Sequence, residues 1–186
     1  MFAKLKKYFF IPVILIVFVG GGYFFVKSPE QPSLTEVPCA FCNATILANQ
    51  KFYEDELVLA LISHRPIFPG HCLIIPKRHA ERFEMLTNEE MTQIGLVIKK
   101  VHQAAMQEYQ SASYLLLQKN GREAGQTVPH VHFHYIPKQA HDASVLVFFI
   151  KMYWSQIKKP LSNFQMQTQC KKMQAAMHTD CADETL

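Results

Sequence analysis

The sequence predicts an α+β fold in which several antiparallel strands accompany one long helix. Two observations lead to this class. One long stretch, from Thr87 to about Gln110, carries apolar residues at helical spacing. Short apolar stretches typical of strands occur four times, at residues 52–63, 71–76, 113–118 and 131–136. Because regular helices do not separate these strands, the pattern favours an antiparallel sheet over a βαβ repeat.

The length of 186 residues suits one compact domain with additional segments. The formal net charge of +4 is mild and the basic residues are scattered, so no nucleic-acid partner is expected. Fourteen Phe and seven Tyr supply ample material for a core. Five cysteines, an odd number, do not fit the disulfide framework of a small secreted protein.

The chain begins with a pattern typical of a membrane anchor. Lys4, Lys6 and Lys7 precede an uncharged run from Tyr8 to Val26, which as a helix would be about 28 Å long, close to the roughly 30 Å of a bilayer core. The alternatives are a cleaved signal peptide, although no Ala-x-Ala site follows, and a buried helix. The lysines predict a single-pass membrane protein with a cytoplasmic N-terminus and an extracytoplasmic (in a Gram-negative bacterium, periplasmic) main domain.

Composition divides the chain into four predicted parts. Residues 1–27 are the anchor, and residues 28–38, with three prolines, are a linker. Residues 39–140 are the main folded domain. Residues 141–186 are a helical C-terminal extension, in which the apolar stretch from Val145 to Trp154 is too short to span a membrane. This stretch is expected to pack on the domain or on a dimer mate, with the membrane surface as an alternative.

The long helix has a recognisable start. Thr87, followed three residues later by Glu90, is a capping-box pattern. The apolar stripe that follows is expected to face the sheet, and its members are Met91, Ile94, Leu96, Val97, Val101, Ala105 and Met106.

Three histidines alternate with apolar residues in the last predicted strand, at His130, His132 and His134. Successive side chains of a strand point to opposite faces, so the histidines are expected on one face while the apolar residues between them face the core. Alternate residues lie about 6.6 Å apart, so the three imidazoles can serve adjoining sites but cannot all attack one atom. A neutral imidazole is a competent nucleophile and proton carrier.

A polar loop precedes this strand and carries two glycines that let backbone amides approach an anion. Its residues of interest are Asn120, Gly121, Gly125, Gln126 and Thr127. The loop and the histidines together favour phosphoryl chemistry. The alternatives are a purely metal-binding face and a histidine-rich strand without function.

These blocks resemble the histidine triad (HIT) family. His130 to Ile136 matches the family's alternation of histidines with hydrophobic residues, and Asn120 to Thr127 matches the glycine-containing run before it. Earlier blocks resemble the family's first strands in the same order, at Phe52–Asp55, Gly70–His71 and Leu73–His79. The resemblance covers roughly residues 39–137. It implies an antiparallel five-stranded sheet with one long helix, often paired into a two-fold homodimer.

The resemblance also implies hydrolysis or transfer at the α-phosphorus of a nucleotide-type phosphoramidate, phosphoester or dinucleoside polyphosphate. His132 would attack in line and form a covalent nucleotidyl-histidine, which water then hydrolyses. The side chains expected to hold phosphate oxygens, or to support those that do, are Asn120, Gln126, Thr127, His134 and His71. The alternatives are a non-catalytic zinc- and nucleotide-binding module and a metal-handling or redox protein.

The pair Cys39 and Cys42 matches the zinc-containing branch of the same family. Carried over by position, the implied zinc ligands are Cys39, Cys42, His79 and His130. Four Cys and His ligands suit a structural zinc ion, which would staple the N-terminal segment to the active-site strand. The rival interpretation is a disulfide or redox pair formed by the two cysteines.

One position departs from the family pattern. Family members that bind nucleosides usually carry an Asp at the end of the second strand, where its carboxylate holds the ribose hydroxyls, and Ser63 stands there in this chain. A hydroxyl makes a single, weaker contact. The phosphate machinery is therefore matched while the nucleoside pocket differs.

Overall fold

The computed structural model describes residues 39–139, 142 and 144–179. In this part of the chain the strands are β1 (Lys51–Glu54), β2 (Val58–Ile62), β3 (Cys72–Pro76), β4 (Ser113–Gln118) and β5 (Phe133–Lys138). They form one sheet in the order β1-β2-β3-β5-β4, with every neighbouring pair antiparallel. The helices are α1 (Ala44–Gln50), α2 (Asn88–Tyr109), α3 (Val145–Ile157) and α4 (Asn163–Thr179). The α+β class and the five-stranded antiparallel sheet are confirmed.

The predicted transmembrane helix, and the single-pass membrane localisation that depended on it, need correction. Within the three described ranges, no helix is long and apolar enough to cross a membrane. The run from Tyr8 to Val26, to which the span was assigned, lies outside the described residues, as does the linker at 28–38. The structure supports one part of the predicted fold class, the five-stranded sheet with its helices.

The stretch 52–63, predicted as one strand, folds into the β1–β2 hairpin. The turn forms because the Asp55 carboxylate accepts hydrogen bonds from the backbone amides of Leu57 at 2.9 Å and Val58 at 2.7 Å. The Gln93 side chain in α2 donates to the same carboxylate at 2.6 Å and so ties the turn to the helix. The turn has neither Gly nor Pro, which explains why the composition did not reveal it.

Helix α2 begins at the predicted capping box. The Thr87 hydroxyl accepts the Glu90 backbone N–H at 3.1 Å, and the Glu90 carboxylate accepts the Thr87 N–H at 2.9 Å. The buried stripe of α2 packs on one face of the sheet beside α4, and the residues that meet there include Ile94, Val97, Val101, Met166 and Met173. Three members of the predicted stripe are instead substantially exposed, namely Met91, Leu96 and Met106.

The opposite face of the sheet carries the histidines. The predicted strand 131–136 is observed as β5 at Phe133–Lys138, so Val131 lies just before it. Val131 and Tyr135 are both fully buried on the helix side, and the predicted alternation of buried residues through this segment is confirmed. His134 pairs with Leu73 of β3 and with Leu117 of β4, which places it between two strands. A smaller apolar cluster lines the same face, formed by Phe41, Leu59, Leu61, Leu73 and Ile75. The histidines therefore lie against a largely apolar, buried surface.

Helix α3 contacts the domain through one narrow stripe. Phe148 stacks on Phe68 with ring centroids 6.4 Å apart, and Ser155 is buried. Within the 145–154 stretch, Phe148 therefore packs on the domain. Its outer side chains are exposed, among them Leu146, Ile150, Tyr153, Trp154 and Ile157.

Candidate active site

His132 is buried, and its ring orientation is fixed by the backbone. Its Nδ1 lies 2.7 Å from the His130 carbonyl oxygen. A carbonyl can only accept, so Nδ1 carries the proton and the Nε2 lone pair is left for chemistry. The edge contact with the Phe41 ring, at 5.3 Å between centroids, holds the imidazole from the side. Burial lowers the pKa of His132, which keeps the ring neutral and nucleophilic.

His71 and His134 form a two-imidazole relay next to His132. The Ile67 backbone N–H donates to His71 Nδ1 at 3.1 Å, so the His71 proton is on Nε2. That Nε2 lies 3.0 Å from His134 Nδ1, which must accept. The neutral His134 consequently presents an Nε2–H, a donor suited to a phosphate oxygen. Its ring centroid is 5.0 Å from that of His132.

The loop residues predicted to hold phosphate are only partly brought to this face. The Asn120 side chain accepts the Phe83 backbone N–H at 2.8 Å and donates to Glu84 at 2.8 Å, away from the histidines. Thr127 is exposed. Gln126 is buried, and its amide is used entirely on the backbone.

Gln126 therefore has a different structural position from the one expected. Its Oε1 accepts the Gly121 N–H at 2.7 Å, and its Nε2 lies 3.4 Å from the same His130 carbonyl that holds His132. Gly121 and Gly125 have φ of 101° and 81°, a region that L side chains rarely adopt. Gln126 and the two glycines thus fix the shape of the loop and the carbonyl beneath the nucleophile.

The sequence interpretation missed Lys119. Its charge lowers the pKa of His132 after the larger effect of burial. Burial, then the neighbouring His132 and Lys119, lower the pKa of His134 to about 3. The Lys119 side chain lies over the loop at Gly125: its Nζ is 3.5 Å from the position that a Cβ would occupy on this glycine. A single lysine forms no motif, so only the folded arrangement reveals this cation beside the site.

The four residues predicted as metal ligands come together in space. Donor atoms of Cys39, Cys42, His79 and His130 all lie within 4.8 Å of one another. The sulfur-to-Nδ1 distances are 3.5 Å for Cys39–His130, 3.7 Å for Cys42–His130 and 3.4 Å for Cys42–His79. Tetrahedral zinc, with bonds of about 2.3 Å to sulfur and 2.0 Å to nitrogen, would separate these atoms by about 3.5 Å. The cluster therefore fits a zinc ion, and it could hold a metal.

Neighbouring groups fix the orientation and the protonation of the histidine ligands. His130 Nε2 donates to the Pro76 carbonyl at 2.9 Å, which leaves Nδ1 unprotonated and facing the sulfurs. His79 Nε2 lies 3.7 Å from Glu81, so its Nδ1 is also turned inward. Cys39 and Cys42 are free thiols and not a disulfide. Burial, with a contribution from Cys42, raises the pKa of Cys39 to about 11, so metal binding must displace a proton there.

Ser63, at the position that departs from the family pattern, is buried at the end of β2. Its backbone N–H donates to the His71 carbonyl at 3.0 Å, where the two strands leave the ladder. The loop between these two residues is the connection that presents His71 to the site.

Comparison with known families gives one match over this region. Residues 46–141 match the family described as HIT domain. Bis(5'-nucleosyl)-tetraphosphatase (asymmetrical) of Schizosaccharomyces pombe is 38% identical over 98 residues, which are 53% of this chain and 54% of the relative. Adenosine 5'-monophosphoramidase hnt1 of the same organism is 41% identical over 102 residues, which are 54% of this chain and 74% of the relative. The chain thus spans about half the length of the tetraphosphatase.

Solved structures show the same architecture. The Caenorhabditis elegans NitFhit protein aligns with a TM-score of 0.58 and 29% identity, over 69% of this chain and 27% of that one. A Zn-bound histidine triad family protein from Mycobacterium smegmatis aligns with a TM-score of 0.61 over 81% of this chain and 100% of that one. Its identity is 23%, so that likeness concerns the fold.

Proposed function

The chain belongs to the HIT domain family, and we propose that it is a nucleotide hydrolase that uses His132 to attack an α-phosphorus. The observation that carries this proposal is the 2.7 Å hydrogen bond that leaves the Nε2 lone pair of a buried, neutral His132 facing the site. Relatives named as a tetraphosphatase and a monophosphoramidase support the substrate class: nucleotide phosphoramidates, phosphoesters and dinucleoside polyphosphates.

The first chemical step forms a bond between His132 Nε2 and the α-phosphorus and breaks the bond to the leaving group, which takes up a proton from solvent. The nucleotidyl-imidazole that results is cationic, because Nδ1 keeps its proton. The His130 carbonyl, 2.7 Å from Nδ1, stabilises this charge. Water then attacks the phosphorus, releases a nucleoside monophosphate and restores the lone pair on His132.

Positioned donors beside His132 fit the charge that spreads over the phosphoryl oxygens. The Nε2–H of His134, held by His71, belongs to a ring whose centroid lies 5.0 Å from that of His132, and Lys119 adds a positive charge at the loop. We assign Gln126 to shaping the loop, since its amide is occupied by the backbone. Asn120 and Thr127 could bind the leaving group only if the loop moved towards the histidines.

We further propose that the cluster of Cys39, Cys42, His79 and His130 holds a structural zinc ion. Four Cys and His donors close the coordination sphere and leave no open position for substrate. Zinc would join the N-terminal segment, the chain after β3 and the start of the β5 segment. Residues 39–140 would then be the catalytic domain, with 141–186 as an extension.

A homodimer through β4 is the assembly that we propose. This strand lies at the edge of the sheet, and it exposes Tyr114 and Leu116 by 42% and 40%. An exposed edge strand with apolar side chains pairs readily with a second copy. Leu116→Lys is expected to convert the dimer to a monomer in sedimentation velocity, while Leu146→Lys on α3 leaves it a dimer. A parent protein that sediments as a monomer would contradict this arrangement.

The covalent step can be tested directly. Zinc-loaded protein mixed with adenosine 5'-phosphoramidate or diadenosine polyphosphate and quenched with base during turnover should carry one adenylyl group, located on the His132 peptide by mass spectrometry. The released product should be AMP. Nucleotide binding without product or adduct for either substrate would favour the non-catalytic binding module instead.

A further inference from the structure

The β2–β3 loop, residues 63–71, is bound by the chain that follows the family-matched region. Lys158 Nζ donates to the Pro66 carbonyl at 2.6 Å. Arg65 Nη1 donates to the Gln156 carbonyl at 2.9 Å. These two bonds run in opposite directions between the loop and the C-terminal end of α3. Since the family match ends at residue 141, this contact belongs to the extension of this chain.

Two more contacts complete the attachment. The Leu161 backbone N–H donates to the His64 carbonyl at 2.9 Å, and the Phe148 ring stacks on Phe68 with an interplanar angle of 10°. The extension therefore holds the loop at four positions that lie on both sides of Ile67. A peptide unit between such attachments has little freedom to turn.

The orientation of the Ile67 peptide matters because its N–H fixes the proton of His71. The bond to His71 Nδ1 at 3.1 Å keeps the imidazole proton on Nε2, which then donates to His134 Nδ1. Without that donor, the other tautomer of His71 becomes available. Its Nε2 would then bear a lone pair facing His134 Nδ1, and the Nε2–H of His134 would no longer be fixed towards the substrate.

We propose that Lys158 is a positioning residue for the hydrolysis proposed above: it holds the β2–β3 loop in the conformation that lets His71 orient His134. This inference rests on the proposed function for its kinetic consequence, but its structural statement concerns two imidazole protons and can be measured without turnover.

The charge of Lys158 supports the same arrangement. Burial, and after it the charges of the neighbouring His134, Lys158 and His64 in that order, together lower the pKa of His71 to about 3. Burial also lowers the pKa of Lys158 itself, because its ammonium group packs against the loop. A neutral His71 is what the relay requires, since a doubly protonated ring cannot accept from Ile67.

The test compares Lys158→Met with Lys158→Arg in the full-length, zinc-loaded protein. Methionine keeps the length of the apolar stem but has no donor and no charge, whereas arginine keeps both. Lys159→Met, at the exposed neighbouring residue, is the matched control. We expect Lys158→Met to lower kcat about tenfold with little change in KM. On the acid side of the pH profile, the fall in kcat should begin at a higher pH in this variant than in the parent. The other two variants should stay within about twofold of the parent.

Nitrogen-15 NMR of the imidazoles provides the second readout. The parent and Lys159→Met should show His71 and His134 as Nε2–H tautomers, and Lys158→Met should show His71 as a mixture that protonates at higher pH. Parental tautomers and kcat in Lys158→Met would overturn the proposal, as would equal losses in Lys158→Met and Lys159→Met. If the parent hydrolyses no nucleotide but the tautomers change as expected, the proposed function fails and the positioning role stands.

Discussion

Replacing His132 by asparagine is expected to reduce hydrolysis of nucleotide phosphoramidates and dinucleoside polyphosphates by about a thousandfold or more. Of the three alternating histidines, His132 is the one whose outer nitrogen keeps a lone pair at the site. His130 Nδ1 faces the cysteine sulfurs, and His134 presents an N–H. Asparagine can still donate to the His130 carbonyl but offers no nucleophilic nitrogen.

The measurement is kcat and KM for parent and variant, together with thermal melting. His178→Asn, the same chemical change at an exposed position in the last turn of α4, is the matched control and should behave like the parent. The melting temperature of His132→Asn should stay within a few degrees of the parent, which separates lost chemistry from lost fold. Parental turnover in His132→Asn would show that another group attacks the phosphorus.

The β5 strand was predictable because its signal is local. Period-two alternation placed Val131 and Tyr135 in the core and the histidines on the opposite face, and both the burial and the contacts agree. The metal cluster was reached only through the family resemblance, since Cys39 and His130 are 91 residues apart and no periodicity connects them.

The loop residues show where sequence reasoning fails. Asn120 and Gln126 were expected at the phosphate, but their partners, such as the Phe83 N–H and the Glu81 carbonyl, lie about forty residues earlier in the chain. An amide side chain bonds whichever backbone groups the fold brings near, and composition does not identify them. His102 on the long helix shows the same effect: it is half-buried, and its Nδ1 lies 2.8 Å from the Tyr135 hydroxyl, a partner that its helical position does not reveal.

Cys39→Ser is expected to lower stability far more than it lowers the rate of the chemical step. A ligand that binds only the native state adds about 4 kcal/mol when its free concentration is a thousand times its Kd. Serine is a poor zinc ligand, so most of this stabilisation should disappear in the variant. The nucleophile loses less, because the bond that orients the His132 ring goes to the main-chain carbonyl of His130, whose oxygen is not a zinc ligand.

Zinc-dependent melting is the decisive measurement. The melting temperature of the parent should rise with free zinc and fall with a chelator, and that of Cys39→Ser should respond weakly to both. Cys170→Ser is the matched control, because this buried thiol contacts only the carbonyls of Asn49 and Gln50 among its hydrogen-bond partners and belongs to no metal cluster in the described residues. It should keep the zinc response of the parent. A Cys39→Ser protein with parental melting but lost turnover would place the metal in the reaction itself, because only then would the sulfur ligand serve chemistry rather than the fold.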